Sequence, residues 1–150
     1  MLQVGDRAPD IQVRTDSGED FQLSQMKGKR VVLYFYPRAD TPGCTTEACE
    51  FRDQTGKFAG KGVVVVGVSP DKPAAQAKFK EKYGLPFTLL ADEDKAAARA
   101  FGVWREKNMY GKKAMGIERT TFVIGAGGTI EKIYGKVKAK GHAAAVLGEV

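Results

Sequence analysis

The sequence predicts an α/β fold with a mixed central sheet flanked by helices. Residues 31–36 and 63–68 form two almost continuously apolar runs, which is typical of strands covered on both faces. Each run is followed by a segment of helical period, and such alternation favours parallel strands joined by crossover helices. Two later strands, separated by a glycine-rich turn, predict an antiparallel hairpin, so the sheet is mixed.

The first half of the chain contains most of the predicted α/β alternation. Residues 1–30 read as an irregular extension with a possible hairpin of 11–14 and 21–23 around the turn-rich stretch 16–20. Next come a strand at 31–36, a helix from about 45 to 59, a strand at 63–68, and a helix opened by Pro73 and closed near Gly84.

The second half begins after Pro86. It is predicted to contain a short strand at 87–90, an alanine-rich helix from about 95 to 101, and a polar loop through Trp104 and Tyr110. Strands at 120–124 and 129–134 then flank the turn at 125–128, and a helix covers about 142–147. No linker divides the chain, so we expect a single domain spanning residues 1–150.

The composition is that of an ordinary globular protein, with 43% hydrophobic and 28% charged residues. The net charge of +6 is consistent with a nucleic-acid partner, but the basic residues are mixed with acidic ones along the chain. We therefore expect no nucleic-acid partner. No membrane-spanning run is present, and residues 1–6 lack the basic start and apolar middle of a signal peptide, which predicts a cytoplasmic protein with no membrane partner.

The cysteine content favours redox chemistry over metal binding. Two cysteines and the lone His142 are too few for a four-ligand zinc site or a disulfide scaffold, so we expect no metal and no cofactor. Disulfides in cytosolic proteins are usually transient and catalytic or redox-sensing. The alternative is that both cysteines are small buried hydrophobic residues.

Cys44 lies where the strand at 31–36 gives way to a helix. A helix N-terminus offers free N–H groups and partial positive charge, which favour a thiolate. An ordinary thiol is about 3% ionised at pH 7, so full ionisation raises the reactive fraction only about thirtyfold. Enzymes commonly accelerate reactions by 10⁶ or more, so other groups must orient and polarise the substrate. Thr41 is a candidate hydroxyl, and an arginine from elsewhere in the chain would complete such a site.

The spacing of Pro37, Thr41 and Cys44 resembles the active-site motif Pro-x-x-x-Thr-x-x-Cys of the peroxiredoxins. The resemblance extends through residues 45–53, 102–104, 109–112 and 116–124, and is strongest to the peroxiredoxin Q subfamily, also called bacterioferritin comigratory proteins. It implies a thioredoxin-like fold with an N-terminal extension. It also implies a peroxidase for hydrogen peroxide and organic hydroperoxides, recycled by thioredoxin or a similar dithiol, and often monomeric.

The resemblance also implies a role for each matching residue. Cys44 is the peroxidatic cysteine, Thr41 and Arg119 hold and polarise the peroxide, Pro37 shields the thiolate from water, and Glu47 positions the arginine. A geometric argument supports Arg119, which immediately precedes the strand at 120–124. If that strand is antiparallel to the strand at 31–36, Arg119 and Cys44 lie at one edge of the sheet.

Each of these residues also has a purely structural interpretation. Thr41 suits a helix cap, and Pro37 suits the end of a strand. Arg119 suits a surface cation, and Glu47 suits a first-turn acid that complements the helix dipole. The structural interpretations lose force because the residues occur together and within the wider match.

Cys49 does not share the inward stripe on which helical spacing places Cys44, Ala48, Phe51, Thr55 and Phe58. Five residues at 100° each put it about 140° around the helix from Cys44, with the two Cα atoms about 8.7 Å apart. A disulfide needs less than about 7 Å. The resemblance identifies Cys49 as the resolving cysteine, so the start of the helix must unwind before the bond forms. The structural alternative is a packed helix residue.

Two other function classes remain open at this point. A thioredoxin-type disulfide oxidoreductase normally uses Cys-x-x-Cys, whereas four residues separate Cys44 from Cys49. The second class is a non-enzymatic binding module, either a redox-sensing chaperone or a nucleic-acid-binding domain that uses the net charge of +6. His142 has no acid or base partner nearby in sequence, and we interpret it as a residue of the terminal helix rather than a catalyst.

Overall fold

The central feature of the computed structural model is a mixed β-sheet. The model describes residues 2–150, except for the side chain of Met109. The strands are β1 Gln12–Thr15, β2 Asp20–Gln22, β3 Arg30–Phe35, β4 Val63–Ser69, β5 Thr88–Ala91, β6 Trp104–Met109, β7 Lys112–Ile117, β8 Thr120–Ile124 and β9 Ile130–Tyr134. The helices are α1 Pro42–Gly60, α2 Pro73–Tyr83, α3 Ala96–Ala100 and α4 His142–Leu147, with a 3₁₀ turn at Leu23–Met26.

Seven of the described strands form one sheet in the order β2-β1-β5-β4-β3-β8-β9. Strands β3, β4 and β5 are parallel, as the strand–helix alternation predicts, while β8 is antiparallel to β3 and to β9. The predicted N-terminal hairpin is confirmed as β1 and β2, and it extends the sheet because β1 pairs with β5. The predicted mixed sheet flanked by helices is therefore confirmed.

Strand β3 is an interior strand, between β4 and β8, and both of its faces are apolar. Val31, Leu33 and Phe35 point into one core, which includes α3 residues, and Val32 and Tyr34 point into the other, which includes residues of α1, α2 and α4. A side-chain period of two divides this run between the two cores. The continuous apolar run is thus the signature of a strand buried on both sides.

Helix α1 begins at Pro42, three residues before the predicted start. Proline suits the first helical position because its φ is already helical and its missing N–H would have no intrahelical partner. Thr41 is the N-cap, with extended backbone angles. The earlier start places Cys44 within the first turn of the helix.

The prediction of a polar loop through Trp104 and Tyr110 is wrong. The segment forms an antiparallel hairpin of β6 and β7, joined at Tyr110 and Gly111, which both have positive φ. Most of β7 faces solvent, so the hairpin lacks the alternating apolar pattern by which a strand is recognised in sequence. Two consecutive positive φ values match the two-residue turns that suit strand twist, but only Gly111 is a residue that favours them.

The pairing of β3 with β8 brings two distant segments together. Phe35, the last residue of β3, is opposite Thr120, the first residue of β8. The chain after β3 and the chain before β8 therefore meet at the same edge of the sheet.

Among the described residues, no helix combines the length and apolar character that crossing a membrane requires.

Candidate active site

Cys44 occupies a closed apolar environment at the start of α1. Its side chain is 1% exposed and belongs to the core cluster that contains Tyr34, Tyr36 and Phe51. The first turn of a helix is where backbone N–H groups lack intrahelical partners and where the helix dipole favours an anion. The thiol is therefore removed from bulk water at a position that suits a thiolate.

Arg119 connects the thiol to a buried carboxylate. It lies between β7 and β8, and its Nη2 donates to Cys44 Sγ at 3.3 Å while its Nη1 donates to Glu47 Oε1 at 2.5 Å. The expectation that β8 brings Arg119 to the edge near Cys44 is met by the antiparallel pairing of β3 and β8. One planar guanidinium thus addresses two acceptors through two nitrogens, which a lysine cannot reproduce.

Glu47 is fully buried one turn after Cys44. Burial raises the pKa of its carboxyl to about 7, against the lowering effect of the Arg119 guanidinium. Burial alone would lower the pKa of Arg119, but the charges of Glu47 and Cys44 outweigh it, so the pKa of the guanidinium is raised and the cation persists. No described residue hydrogen-bonds Glu47 Oε2, so Arg119 is the carboxyl's hydrogen-bond partner in that part of the chain.

Gly43 makes room for this arrangement. A Cβ at this position would lie 3.3 Å from Arg119 Nη2, which is tighter than an ordinary van der Waals contact. The absence of a side chain at residue 43 therefore allows the guanidinium to approach the start of α1. The sequence analysis did not identify Gly43 as a site residue, because its contact joins segments far apart in the chain.

Thr41 and Pro37 precede Cys44 on the loop between β3 and α1. The Thr41 hydroxyl donates to the Arg38 carbonyl oxygen at 2.9 Å, so its own lone pairs remain able to accept a hydrogen bond. Thr41 occupies the N-cap position, but its side chain makes no capping hydrogen bond, which disfavours the purely structural interpretation. Pro37 is half-buried and follows Tyr36, whose backbone N–H bonds Val68 just beyond the end of β3.

Cys49 is half-buried and, like Cys44, is a free thiol. Both cysteines lie within the uninterrupted helix α1. Because the two positions differ by five residues, helix geometry separates their Cα atoms by about 8.7 Å, beyond the reach of a disulfide. The folded helix therefore holds the two thiols apart.

His142 lies close to the site without contacting the thiol. It is the first residue of α4, as its assignment to the terminal helix predicts, and it is buried. Its Nε2 lies 2.7 Å from Thr121 Oγ1, and its ring packs edge-on against Phe51 of α1. Burial first, and the Arg119 charge second, lower the pKa of His142 to about 4. The imidazole is therefore neutral at physiological pH and ties α1 and α4 to β8.

Trp104 and Tyr110 belong to the β6–β7 hairpin. Trp104 is half-buried, with Lys95 Nζ 5.5 Å from its ring centroid, and Tyr110 is fully exposed. The side chain of Met109 lies outside the described residues. Packing explains Trp104, whereas Tyr110 projects from the tip of the hairpin.

Comparison with known proteins relates the whole chain to one group. Residues 4–133 match the AhpC/TSA family model. Peroxiredoxin Bcp of Bacillus subtilis is 51% identical over 146 residues, covering 97% of this chain and 93% of the relative. Peroxiredoxin Bcp of Escherichia coli is 44% identical over 146 residues, with 97% and 94% covered.

Solved structures give the same relationship. A bacterioferritin comigratory protein from Xanthomonas campestris, 39% identical, superposes with a TM-score of 0.91 over 99% of this chain and 95% of its own. PrxQ of Xylella fastidiosa, in a mutant form, is 35% identical and superposes with a TM-score of 0.94 over the same shares. The seven-stranded sheet and its helices are therefore those of a thioredoxin-like fold.

Proposed function

Because this chain belongs to the AhpC/TSA family and is a thiol-dependent peroxidase of the Bcp/PrxQ group, we propose that Cys44 is the thiol that reduces the peroxide. The observation that carries the assignment is the guanidinium of Arg119, which donates to Cys44 Sγ and to the buried Glu47. A guanidinium hydrogen bond is stronger to an ionised acceptor than to a neutral one, so this geometry favours a thiolate.

The reaction begins with attack of the Cys44 thiolate on the terminal oxygen of the peroxide. The new S–O bond forms as the O–O bond breaks, which oxidises the sulfur to a sulfenic acid. The leaving oxygen takes up a proton and departs as water or an alcohol. Arg119 is placed to stabilise the negative charge that moves from sulfur to the leaving oxygen.

Thr41 and Pro37 have supporting roles in the proposal. The lone pairs of Thr41 Oγ1 can accept the hydrogen bond of the attacked hydroperoxide, because its own hydrogen is used by Arg38. Pro37, half-buried after β3, keeps water from the thiolate on the side of the loop. Glu47 fixes the plane of the guanidinium through its bond to Nη1.

Cys49 acts as the resolving thiol. Its sulfur attacks the Cys44 sulfenic acid, which forms the S–S bond and releases water. Since an intact α1 separates the two residues, its first turns must unwind before this step. A dithiol of the thioredoxin type then reduces the disulfide by thiol exchange and returns both cysteines to the thiol state.

The substrate range and setting are part of the same proposal. The related Xanthomonas campestris protein is described as having alkyl peroxide reduction activity, and we expect this chain to accept hydrogen peroxide and organic hydroperoxides. We expect it to work as a monomer with thioredoxin as the reductant. The cytoplasmic location inferred from the sequence stays a prediction, which cell fractionation tests.

Steady-state peroxide reduction coupled to thioredoxin tests the assignment. We expect Cys44→Ser to lose peroxide consumption with hydrogen peroxide and with an organic hydroperoxide. We expect Cys49→Ser to reduce one equivalent and then stop, because no disulfide forms for thioredoxin to reduce. Thr45→Ser, an equally small change beside the thiol, serves as the control and should keep activity.

Two results would contradict the proposal. Substantial turnover by Cys44→Ser would remove the peroxidatic role from Cys44. Normal thioredoxin-dependent turnover by Cys49→Ser would leave Cys49 as a packed helix residue and remove the resolving step. An insulin-reduction assay on the parent measures thioredoxin-type disulfide oxidoreductase activity separately from peroxidase activity. We expect the parent's insulin reduction to be negligible.

A further inference from the structure

Asp40 has an unusual backbone conformation for its position beside the active site. Its φ is 59°, in the left-handed region that residues other than glycine seldom occupy. It directly precedes Thr41, the N-cap of α1, and lies four residues before Cys44. Such a conformation persists only where surrounding contacts hold it.

The carboxylate of Asp40 is held by two residues of the C-terminal turn of α2. Tyr83 Oη donates to Oδ1 at 2.7 Å, and Lys82 Nζ donates to Oδ2 at 2.9 Å. The bonds from Lys82 and Tyr83 lower the pKa of Asp40, so the carboxylate is ionised at neutral pH. Asp40 and Lys82 are both well exposed, so solvent weakens their attraction and the half-buried Tyr83 supplies the more directional contact.

The neighbouring residue of the loop is held by the segment between β4 and α2. Ala39 N–H donates to Asp71 Oδ2 at 2.7 Å, and Ser69 Oγ donates to the same oxygen at 2.6 Å. The buried Gln76 completes this network by donating to Ser69 Oγ and to the Leu90 carbonyl oxygen. The segment before α2 and the last turn of α2 therefore hold consecutive residues of the loop, Ala39 and Asp40.

Tyr83 also connects α2 to the body of α1. Its carbonyl oxygen accepts a hydrogen bond from Arg52 Nη1 at 2.7 Å, while its hydroxyl holds Asp40. One residue thus links the loop before α1 to the third turn of α1. The first turns of α1 lie between Asp40 and Arg52, the two residues that Tyr83 joins. When these turns unwind, either one of the two hydrogen bonds breaks or the unwound segment moves while both stay in place.

We propose that Asp40, anchored by Tyr83 and Lys82, is a positioning residue that keeps loop 37–43 in its reactive form and restrains the unwinding that resolution needs. This rests on the proposed function of Cys44 and Cys49. Asp40 touches neither the thiol nor the expected substrate position, and it acts through the placement of Thr41 and the start of α1.

The anchor acts in opposite directions on the two chemical steps. Peroxide attack needs Thr41 and Cys44 in their folded geometry, so releasing the loop slows it. Disulfide formation needs the start of α1 unwound, so releasing the loop accelerates it. A mere loss of global stability has no reason to change the two steps in opposite directions, and this distinguishes positioning from a structural role.

Asp40→Gly and Tyr83→Phe are the informative variants. Glycine accepts the left-handed conformation without strain, so Asp40→Gly removes the anchor without the strain that Asp40→Ala adds. Glycine also increases the backbone freedom of the loop, an effect that Tyr83→Phe does not have. Tyr83→Phe removes only the hydroxyl that donates to Asp40. Glu131→Gln is the matched control, because its carboxylate pairs with Arg30 at the other end of the sheet and is 44% exposed, against 43% for Asp40.

The measurement is a single-turnover reaction with hydrogen peroxide, quenched at intervals with a thiol-alkylating reagent and read by intact mass. For Asp40→Gly we expect peroxide attack to slow about threefold, as for a slightly misplaced reacting group. We expect disulfide formation to accelerate about tenfold, because losing one hydrogen bond to a charged group lowers the barrier to unwinding by about that factor in rate. Tyr83→Phe should move both rates in the same directions by smaller factors, and Glu131→Gln should leave both unchanged.

The outcomes separate this proposal from the one on which it rests. If the parent oxidises Cys44 and forms the disulfide but Asp40→Gly shows the parent's rates, the positioning role is overturned and the peroxidase assignment stands. If both steps slow together in step with a lower melting temperature, Asp40 is merely structural and the proposal is likewise overturned. If the parent shows no oxidation at Cys44, both proposals fail.

Discussion

Acidification from pH 6.5 to pH 4 is expected to weaken the folded protein through His142. Burial and the Arg119 charge lower the pKa of this imidazole from 6.5 to about 4. Between pH 6.5 and pH 4, the His142 imidazole is protonated in the unfolded chain but stays largely neutral in the folded chain. Acidification over this range therefore favours unfolding. His142 therefore costs no stability above pH 6.5, and its cost grows as the pH falls and is complete below about pH 4.

The size of the effect follows from the shift. At about 1.4 kcal/mol for each pKa unit, the lowering from 6.5 to about 4 corresponds to about 3 kcal/mol of unfolding free energy. The side chain is only 7% exposed, so solvent screens it little. A loss of this size is a large part of the stability of a typical domain.

Urea unfolding of the parent and of His142→Gln, measured at several pH values across the window, tests this. Glutamine keeps a neutral polar group near Thr121 but cannot titrate. We expect the parent to lose about 3 kcal/mol more than the variant between pH 6.5 and pH 4. Parallel stability curves for the two proteins would refute the reasoning, because they would show that His142 is protonated equally in the folded and unfolded states.

Four further outcomes are expected from the site geometry. Because burial raises the pKa of Glu47 from 4.5 to about 7, its contribution to stability is greatest below pH 4.5 and is lost as the pH rises through 7. In urea unfolding the parent should therefore lose stability relative to Glu47→Gln over this range, because the opposite change from His142 is common to both proteins. Arg119→Met should lower kcat/KM for peroxide about a hundredfold, as expected for loss of a charge-stabilising donor, and similar rates in parent and variant would contradict this. Gly43→Ala should slow peroxide attack in single-turnover assays, because its Cβ would crowd Arg119 Nη2. Gly56→Ala in the same helix meets nothing within 4 Å and should instead raise stability by about 1 kcal/mol in urea unfolding with unchanged attack.

The sequence carries the sheet and its helices because their signals are local. Short apolar runs predict strands β3 and β4. A proline and a glycine predict the two ends of helix α2. The β6–β7 hairpin does not follow from the sequence, because exposed strands carry no alternating apolar pattern. The helical period alone predicts too late a start for α1, because the helix begins at Pro42, before the first residue with that period.

The residues of the candidate site likewise differ in whether a local sequence pattern predicts them. Cys44 and its helix end follow from the local pattern, whereas the roles of Arg119 and Glu47 came from the family resemblance. Glu47 lies three residues after Cys44, and only the structure shows that it is fully buried. Gly43, Asp40 and His142 matter through contacts with residues far away in the chain, which a single sequence does not reveal.

Far-UV circular dichroism combined with intact mass, after one equivalent of hydrogen peroxide, tests whether Cys44 is oxidised while α1 is folded and whether α1 must partly unwind before Cys49 can react. We expect a disulfide with loss of helical signal in the parent, and a single added oxygen with the helical signal retained in Cys49→Ser. A Cys44–Cys49 disulfide that forms with no loss of helix would contradict it.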